Sequence, residues 1–201
     1  MNDATPQVWV GADPGGKNAF GLALIVGNQS PRTWCVSSVD EAVESLASYG
    51  IRHIDGIGVD APLWWSTAQS GARRVDAVLR KRYGLSGGNV QAPNSLRGAV
   101  LVQGVLLVDR VRKTFSTVNV TETHPKALLS ATNVTWSAFC NQYGIECGDV
   151  SEHERDAVIS AVAAREGFCG RWKNDLSLVR DPSESNPKSH WFAPVNYFWP
   201  E

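Results

Sequence analysis

Residues 7–26 read QVWVGADPGGKNAFGLALIV, and this stretch decides the fold of the chain. Its two apolar segments, residues 8–12 and 20–26, flank a Pro-Gly-Gly turn, and this pattern predicts a β-hairpin. The first segment ends at Asp13, a residue type that is rare in strands. An aspartate at the end of so apolar a strand therefore indicates a chemical role.

A second aspartate ends another predicted strand. Residues 54–60 read IDGIGVD, so Asp60 follows apolar residues as Asp13 does. If the two strands lie side by side and run in the same direction, both carboxylates lie at one edge of the sheet, where α/β proteins bind ligands. Two carboxylates there repel each other unless a cation lies between them. The pair therefore predicts a metal site.

The composition is that of a globular protein. The chain has 201 residues, 43% of them hydrophobic and 19% charged, which predicts one domain with an appended tail. The net charge of -1 provides no general attraction to nucleic acid, so a nucleic-acid partner would need a local basic patch. The sequence leaves the oligomeric state open.

The sequence also predicts a cytoplasmic protein without a membrane partner. No apolar run approaches the ~20 residues of a membrane span, and the first residues lack the pattern of a signal peptide. The four cysteines have no Cys-x-x-Cys spacing, which argues against zinc and favours buried thiols. They are Cys35, Cys140, Cys147 and Cys169.

Apolar periodicity predicts a mixed five-stranded sheet flanked by helices. A helix between the third and fourth strands makes the fourth strand parallel to the first through a right-handed crossover. Asp40 is predicted to cap the first helix, and Ser151 with Glu154 matches a capping box for the last one. The strands are expected at 8–12, 20–26, 32–39, 54–59 and 117–123, and the helices at 40–49, 72–83, 96–113, 125–131, 136–143 and 151–165.

Residues 166–201 are predicted to form a tail that docks on the domain of residues 1–165 or on a neighbouring subunit. The tail has no clear periodicity, and Pro194 and Pro200 argue against a helix. Five aromatic residues crowd into its last eleven positions, which is too much apolar area for a disordered end. We therefore expect the segment from Trp191 to Trp199 to dock in extended form rather than to bind nucleic acid by stacking.

Four acidic residues form a candidate catalytic group: Asp13, Asp60, Glu122 and Asp156. Glu122 ends the fifth predicted strand, and Asp156 lies in the first turns of the last helix. Each acid alone has a simpler explanation as a turn, cap or solvated residue. Together they match the few carboxylates that hold Mg²⁺ or Mn²⁺, and two such ions ~4 Å apart promote phosphodiester hydrolysis. Asp13, Asp60 and Asp156 are the predicted metal ligands.

Basic and histidine side chains supply the candidates for binding substrate. Lys17 lies in the turn beside Asp13, and the helix predicted at 72–83 is unusually basic. Such cations clamp phosphate, although a basic helix is also typical of a solvated face and Asp76 can pair with Arg80. Histidines can carry protons or bind metal, although supporting and capping roles are common. The candidates are Lys17, Arg73, Arg80, His124, His153 and Arg155.

Two adjacent tryptophans follow Asp60 closely in the chain. Trp64 and Trp65 could stack bases, as aromatic residues do in proteins that bind single strands. Packing beneath the loop that carries them explains the pair equally well, and the sequence does not decide between these roles.

The ordered set of motifs resembles the domain-of-unknown-function 429 family (DUF429). The motifs are Asp13 with its glycine turn, VDAPL at 59–63, GxRxxD at 71–76, ExHP at 122–125 and HERDA at 153–157, and they span about residues 8–165. The resemblance implies a ribonuclease-H-like three-layer α/β fold, related to Holliday-junction resolvases and other nucleases. It also implies acids on the first strand, the fourth strand and a late helix, which correspond to Asp13, Asp60 and Asp156, with Glu122 as a fourth.

The sequence therefore predicts a nuclease that hydrolyses phosphodiester bonds in nucleic acid with Mg²⁺ or Mn²⁺. One alternative is a non-catalytic protein that keeps the fold and binds a nucleotide or a partner in the crevice. Another is an actin-like phosphotransferase, because the glycine turn resembles the phosphate-binding hairpin of those ATPases. However, no second such hairpin is evident, and the chain is short for that architecture.

Overall fold

The computed structural model describes residues 5–115, 118–146 and 148–201. Its strands are β1 (Val8–Asp13), β2 (Phe20–Val26), β3 (Arg32–Val36), β4 (Gly56–Val59), β5 (Asn119–Glu122), β6 (Asn174–Asp175), β7 (Val195–Asn196) and β8 (Phe198–Trp199). Six of them form a mixed sheet in the order β3-β2-β1-β4-β5-β7, and β6 pairs with β8 separately. Strand β2 is antiparallel to both of its neighbours, whereas β1, β4, β5 and β7 run parallel. The predicted α/β class is confirmed.

Within the described ranges, six α-helices accompany these strands. They are α1 (Val39–Ser48), α2 (Arg74–Tyr83), α3 (Gly98–Thr114), α4 (Pro125–Thr132), α5 (Trp136–Tyr143) and α6 (Glu152–Phe168). The predicted capping box of Ser151 and Glu154 begins α6. The cap of α1 is Ser38, which accepts a hydrogen bond from the Glu41 N–H, and Asp40 lies in the first turn instead. No helix in these ranges combines the length and apolar character needed to cross a membrane.

The prediction of five strands is wrong by one, because the C-terminal segment adds β7 to the sheet. Val195 pairs with Val120 of β5 in parallel register. A strand of two residues is too short to show alternation in a sequence, so its partner can only be found in three dimensions. The fifth predicted strand began at Thr117, which lies outside the described residues.

Most aromatic side chains of the C-terminal segment are buried against the rest of the chain. Phe192, Tyr197 and Trp199 are almost inaccessible to solvent, and the Trp199 indole N–H donates to the Tyr83 hydroxyl at 3.1 Å. Trp191 differs from the expectation for this segment, because 69% of its surface remains exposed.

The cysteines differ partly from the expectation of buried thiols. Cys140 is buried, Cys169 is half-buried and Cys35 is exposed. Cys147 lies outside the described residues.

Helix α6 rests directly on the sheet because three adjacent strands present glycine to it. A β-carbon at Gly11, Gly21 or Gly58 would overlap the backbone carbonyl of residue 157, 153 or 160, respectively. These three carbonyls belong to successive turns of one face of α6. The middle of the helix, residues 156–164, is buried throughout, as expected for a helix enclosed by other elements. Glycine therefore sets the distance between α6 and the sheet.

We expect Gly11→Ala to destabilise the protein strongly. The added methyl group meets backbone atoms of Ala157 and Ala161, so α6 must move away from β1. Overpacking of this kind costs about 1–3 kcal/mol or more in free energy of unfolding, measured by urea denaturation. Gly98→Ala is the control, because nothing lies within 4 Å of a β-carbon there. Equal stability of the Gly11→Ala variant and the wild type would contradict this account of the packing.

Candidate functional site

Asp13 and Asp60 lie next to each other at the carboxyl edge of the sheet. Ala12 of β1 pairs with Val59 of β4 in parallel register, so each strand delivers its aspartate at the same level. The Asp60 N–H donates to the Ala12 carbonyl at 2.8 Å, which continues the pairing past β4. Both aspartates line one cavity of about 180 Å³.

Asp156 joins this pair from α6. Its side chain is almost fully buried, and its charge acts on both Asp13 and Asp60. We call Asp13, Asp60 and Asp156 the acid cluster. Over the described part of the chain, however, no three His, Cys, Asp or Glu side chains are arranged so that they would hold a metal ion as they stand.

Basic side chains already contact two members of the acid cluster. His153 Nδ1 lies 2.7 Å from Asp13 Oδ2. Arg155 Nε donates to Asp156 Oδ1 at 2.9 Å. Both partners come from the first turns of α6, so the packing of this helix brings them to the cluster together with Asp156. Two of the predicted substrate-binding residues, His153 and Arg155, therefore contact the acid cluster.

The acid cluster is electrostatically unfavourable when it is fully charged. Burial raises the pKa of Asp13 to about 6; the His153 hydrogen bond opposes this shift, and the Asp156 charge adds to it. Burial, together with the charges of Asp13 and Asp156, raises the pKa of Asp60 well above its ordinary value. Burial also raises the pKa of Asp156 against the effect of Arg155. A bound cation would relieve this strain, because an opposite charge favours ionised carboxylates.

Lys126 is the cation at this site that the sequence analysis missed. It lines the cavity, and its Nζ lies 3.9 Å from Asp156 Oδ2 and 2.6 Å from Glu152 Oε1. Its charge lowers the pKa of both Asp13 and Asp60. Lysine is unfavourable in the first turn of a helix because of the helix dipole. Its position directly after Pro125, at the start of a predicted helix, was therefore the signal that could have identified it.

Glu122 is engaged elsewhere, in a buried ion-pair network centred on Arg73. Arg73 donates to both Glu122 oxygens at 2.7 and 2.8 Å, and the Leu63 N–H donates to the same carboxylate. Arg73 also binds Asp76 through two hydrogen bonds and stacks on the Trp64 ring. Glu122 and Arg73 are thus paired with each other, and none of these charged side chains reaches solvent; the roles of Glu122 in catalysis and of Arg73 in clamping phosphate stay predictions.

Lys17 and Arg80 are outside the cavity lining formed by the described residues. Lys17 is exposed in the hairpin turn. Arg80 donates to the Val90 carbonyl at 3.4 Å and so contacts the loop after α2, while Asp76, its expected partner, pairs with Arg73. Neither basic residue reaches the acid cluster.

His124 lines the cavity between the acid cluster and the Arg73 network. Its Nδ1 is buried 4.0 Å from Glu122 Oε1 and has no hydrogen-bond partner in the described structure. Burial lowers the pKa of His124 to about 4, so the imidazole is neutral at physiological pH. His124 can therefore offer the cavity a neutral ring but no charge.

Comparison with known proteins adds no relative: no family model, no curated protein and no solved structure matches the chain. The resemblance to DUF429 stays a prediction, and the function must be inferred from the chemistry of the site.

We expect Asp60→Asn to stabilise the protein at neutral pH in the presence of a chelator. A carboxyl group with a raised pKa binds more protons in the folded state than in the unfolded state. Its contribution to the free energy of unfolding is therefore present at low pH and is lost as the pH rises through the pKa that the group has in the folded state. For Asp13 this window runs from 3.8 to about 6. The pKa of Asp60 is raised well above its ordinary value by burial and by the charges of Asp13 and Asp156, so the Asp60→Asn variant should lack the Asp60 contribution to the fall in stability as the pH rises.

Urea denaturation between about pH 4 and pH 7 measures this effect. Asp149→Asn, at an exposed acid, is the control and should follow the wild-type curve. Parallel curves for the wild type and the Asp60→Asn variant would show that Asp60 does not repel its neighbours.

Proposed function

We propose that this protein is a metal-dependent nuclease of ribonuclease-H-like type that hydrolyses phosphodiester bonds in nucleic acid. The observation that carries the proposal is the acid cluster: aspartates that follow two adjacent parallel strands, with a third on the helix packed across them. Their positions agree with those that the resemblance to DUF429 implies. In this proposal Asp13, Asp60 and Asp156 hold Mg²⁺ or Mn²⁺.

The donor set suits such an ion. Mg²⁺ and Mn²⁺ bind carboxylate oxygens, and the raised pKa values of these acids indicate that a cation would lower the free energy of the charged cluster. A bound divalent ion supplies an activated water and stabilises the leaving oxygen in hydrolysis of a phosphodiester. To bind the ion, Asp13 must release His153 and Asp156 must release Arg155.

The surrounding side chains have separate tasks in this proposal. Lys126, which lines the cavity, is placed to contact a phosphate once an ion has taken over the neutralisation of the acids. His153 and Arg155, when released by Asp13 and Asp156, remain at the rim as donors for the substrate. The neutral His124 ring gives the cavity one uncharged wall, and the Arg73 network holds Glu122 and the loop at Leu63 in place.

A second function is a non-catalytic protein that binds a nucleotide or a partner at this cavity. The pairing of Asp13 and Asp156 with His153 and Arg155 favours it, because these acids are already partly neutralised without an ion. The third alternative, an actin-like phosphotransferase, gains no support from the cavity. Its volume of about 180 Å³ is below the roughly 300–1,000 Å³ of sites for small molecules.

Mg²⁺ or Mn²⁺ should stabilise the wild type and support hydrolysis of bis(p-nitrophenyl) phosphate and of single-stranded oligonucleotides. An ion at a hundred times its dissociation constant stabilises by about 2.7 kcal/mol, which thermal unfolding detects. Asp60→Asn should remove both the thermal shift and the hydrolysis, whereas Asp149→Asn should keep them. A wild type that binds strands but shows neither effect would be a binding protein and would refute the nuclease.

We expect Lys126→Gln to lower the metal concentration needed for half of the thermal shift. The lysine competes with the ion for the acid cluster, and because its side chain is 55% exposed the change should be modest, roughly two- to fivefold. Lys113→Gln serves as the matched control, because Lys113 pairs with Asp109 on the outer surface of α3. If Lys126 also binds phosphate, KM for an oligonucleotide rises in the same variant. A higher metal requirement in Lys126→Gln would contradict the competition.

A further inference from the structure

We propose that Trp65 and Trp191 form a stacking surface for single-stranded nucleic acid beside the acid cavity. This inference rests on the proposed function, since it names the form of nucleic acid that the site takes. Both tryptophans are exposed, Trp65 by 44% and Trp191 by 69%. The only other exposed large aromatic side chain of the described residues is Tyr49, at 45%.

The exposed Trp65 ring ends a column of three aromatic rings. Trp65 and His190 have ring centroids 5.3 Å apart with planes inclined by 34°. His190 and Phe192 follow at 4.8 Å and 18°. Phe192 is buried at the inner end of the column, and Trp191 meets its ring edge-on at 5.1 Å. A nucleobase placed on the outer face of Trp65 would extend the column by one ring.

The backbone of Trp65 is anchored to the C-terminal segment. Its backbone N–H donates to Ser185 Oγ at 3.2 Å, and its carbonyl accepts from the Ser185 N–H at 2.9 Å. The preceding Trp64 is buried and donates its indole N–H to Glu184 at 3.0 Å. A ring that is fixed before binding loses little entropy when a ligand stacks on it. The anchored backbone and the contact with the His190 ring together restrict the positions that the Trp65 ring can take before a ligand binds.

The stacking surface lies within reach of a strand bound at the acid cluster. Trp65 follows Asp60 by five residues, and a residue spans at most about 3.6 Å, so their Cα atoms lie within about 18 Å. A stacked strand rises about 3.4 Å per nucleotide, so about five nucleotides bridge this distance. The intervening loop is fixed by the hydrogen bond of 2.8 Å from the Leu63 N–H to Glu122.

The exposed area suits a strand better than a protein partner. Two partly exposed tryptophans offer less than about 500 Å², because an aromatic side chain buries 150–250 Å² in total. A stable protein interface needs roughly 800 Å² on each partner, whereas a base needs one ring face. Two cations near this surface are already paired, Arg74 with Asp181 and Lys188 with Asp175. Stacking rather than charge would therefore provide the binding free energy at this surface.

Fluorescence anisotropy with a labelled single-stranded DNA of about 12 nucleotides tests the inference, with a chelator present to prevent hydrolysis. Trp65→Ala should weaken binding roughly 5- to 150-fold, the effect of losing one stacked base, and Trp191→Ala should also weaken it. Trp65→Phe should lose less affinity for the strand, because it keeps an aromatic ring. This variant also controls for a folding defect in Trp65→Ala. Tyr49→Ala is the matched control and should bind as the wild type does. The loss in Trp65→Ala should vary little between about 50 and 200 mM salt, because no phosphate contact is removed.

Unchanged affinity in both tryptophan-to-alanine variants would overturn the inference. A change in oligomeric state without a change in strand affinity would also overturn it, and would identify the tryptophans as a protein interface. The two proposals fail separately. A wild type that hydrolyses bis(p-nitrophenyl) phosphate with metal but does not bind the strand refutes only the stacking surface. A strand bound through Trp65 without any metal-dependent hydrolysis refutes only the nuclease.

Discussion

The direct contact between helix α6 and the glycines of the sheet is the constraint on which the rest of the structure depends. Gly11, Gly21 and Gly58 leave no side chain between the strands and the helix backbone. This contact fixes both the height and the rotation of α6, because a β-carbon at any of the three positions would overlap a helix carbonyl. The first turns of α6 are therefore held beside β1, which brings His153 to Asp13 and Asp156 to the edge of the sheet.

The two groups of buried charges in this protein differ in how they are compensated. In the Arg73 network one guanidinium donates four hydrogen bonds to Glu122 and Asp76, so both buried carboxylates are paired within the fold, although burial still raises the pKa of Glu122. In the acid cluster the pKa values of Asp13 and Asp60 stay raised despite their cationic neighbours. An arrangement that leaves acids unfavourably charged is typical of functional sites. The hydrogen bonds to the carboxylates, rather than the direction of the pKa shifts, therefore distinguish the Arg73 network from the acid cluster.

The sequence analysis succeeded where a feature is local and failed where it depends on a distant partner. Apolar periodicity located the helices and the first five strands, and the capping box of Ser151 marked the start of α6. The strand at Val195 escaped because two residues carry no periodicity. The ion pair of Arg73 and Glu122 was not predicted, because it joins residues 49 positions apart and nothing in the sequence near either one indicates it. Lys126 was overlooked for the same reason, although its place at a helix start was unusual.

The sequence by itself determined that two apolar strands end in aspartate, that a capped helix carries a third, and that the chain folds as an α/β protein. Strand-forming patterns and caps act over a few residues, so they can be read without the fold. Only the tertiary structure decided which acids share a cavity and which are neutralised in the core. It also decided which tryptophan of the adjacent pair is exposed, since Trp64 packs on Arg73 while Trp65 faces solvent. Burial and charge pairing arise from contacts between residues far apart in the chain, and these contacts exist only when it has folded.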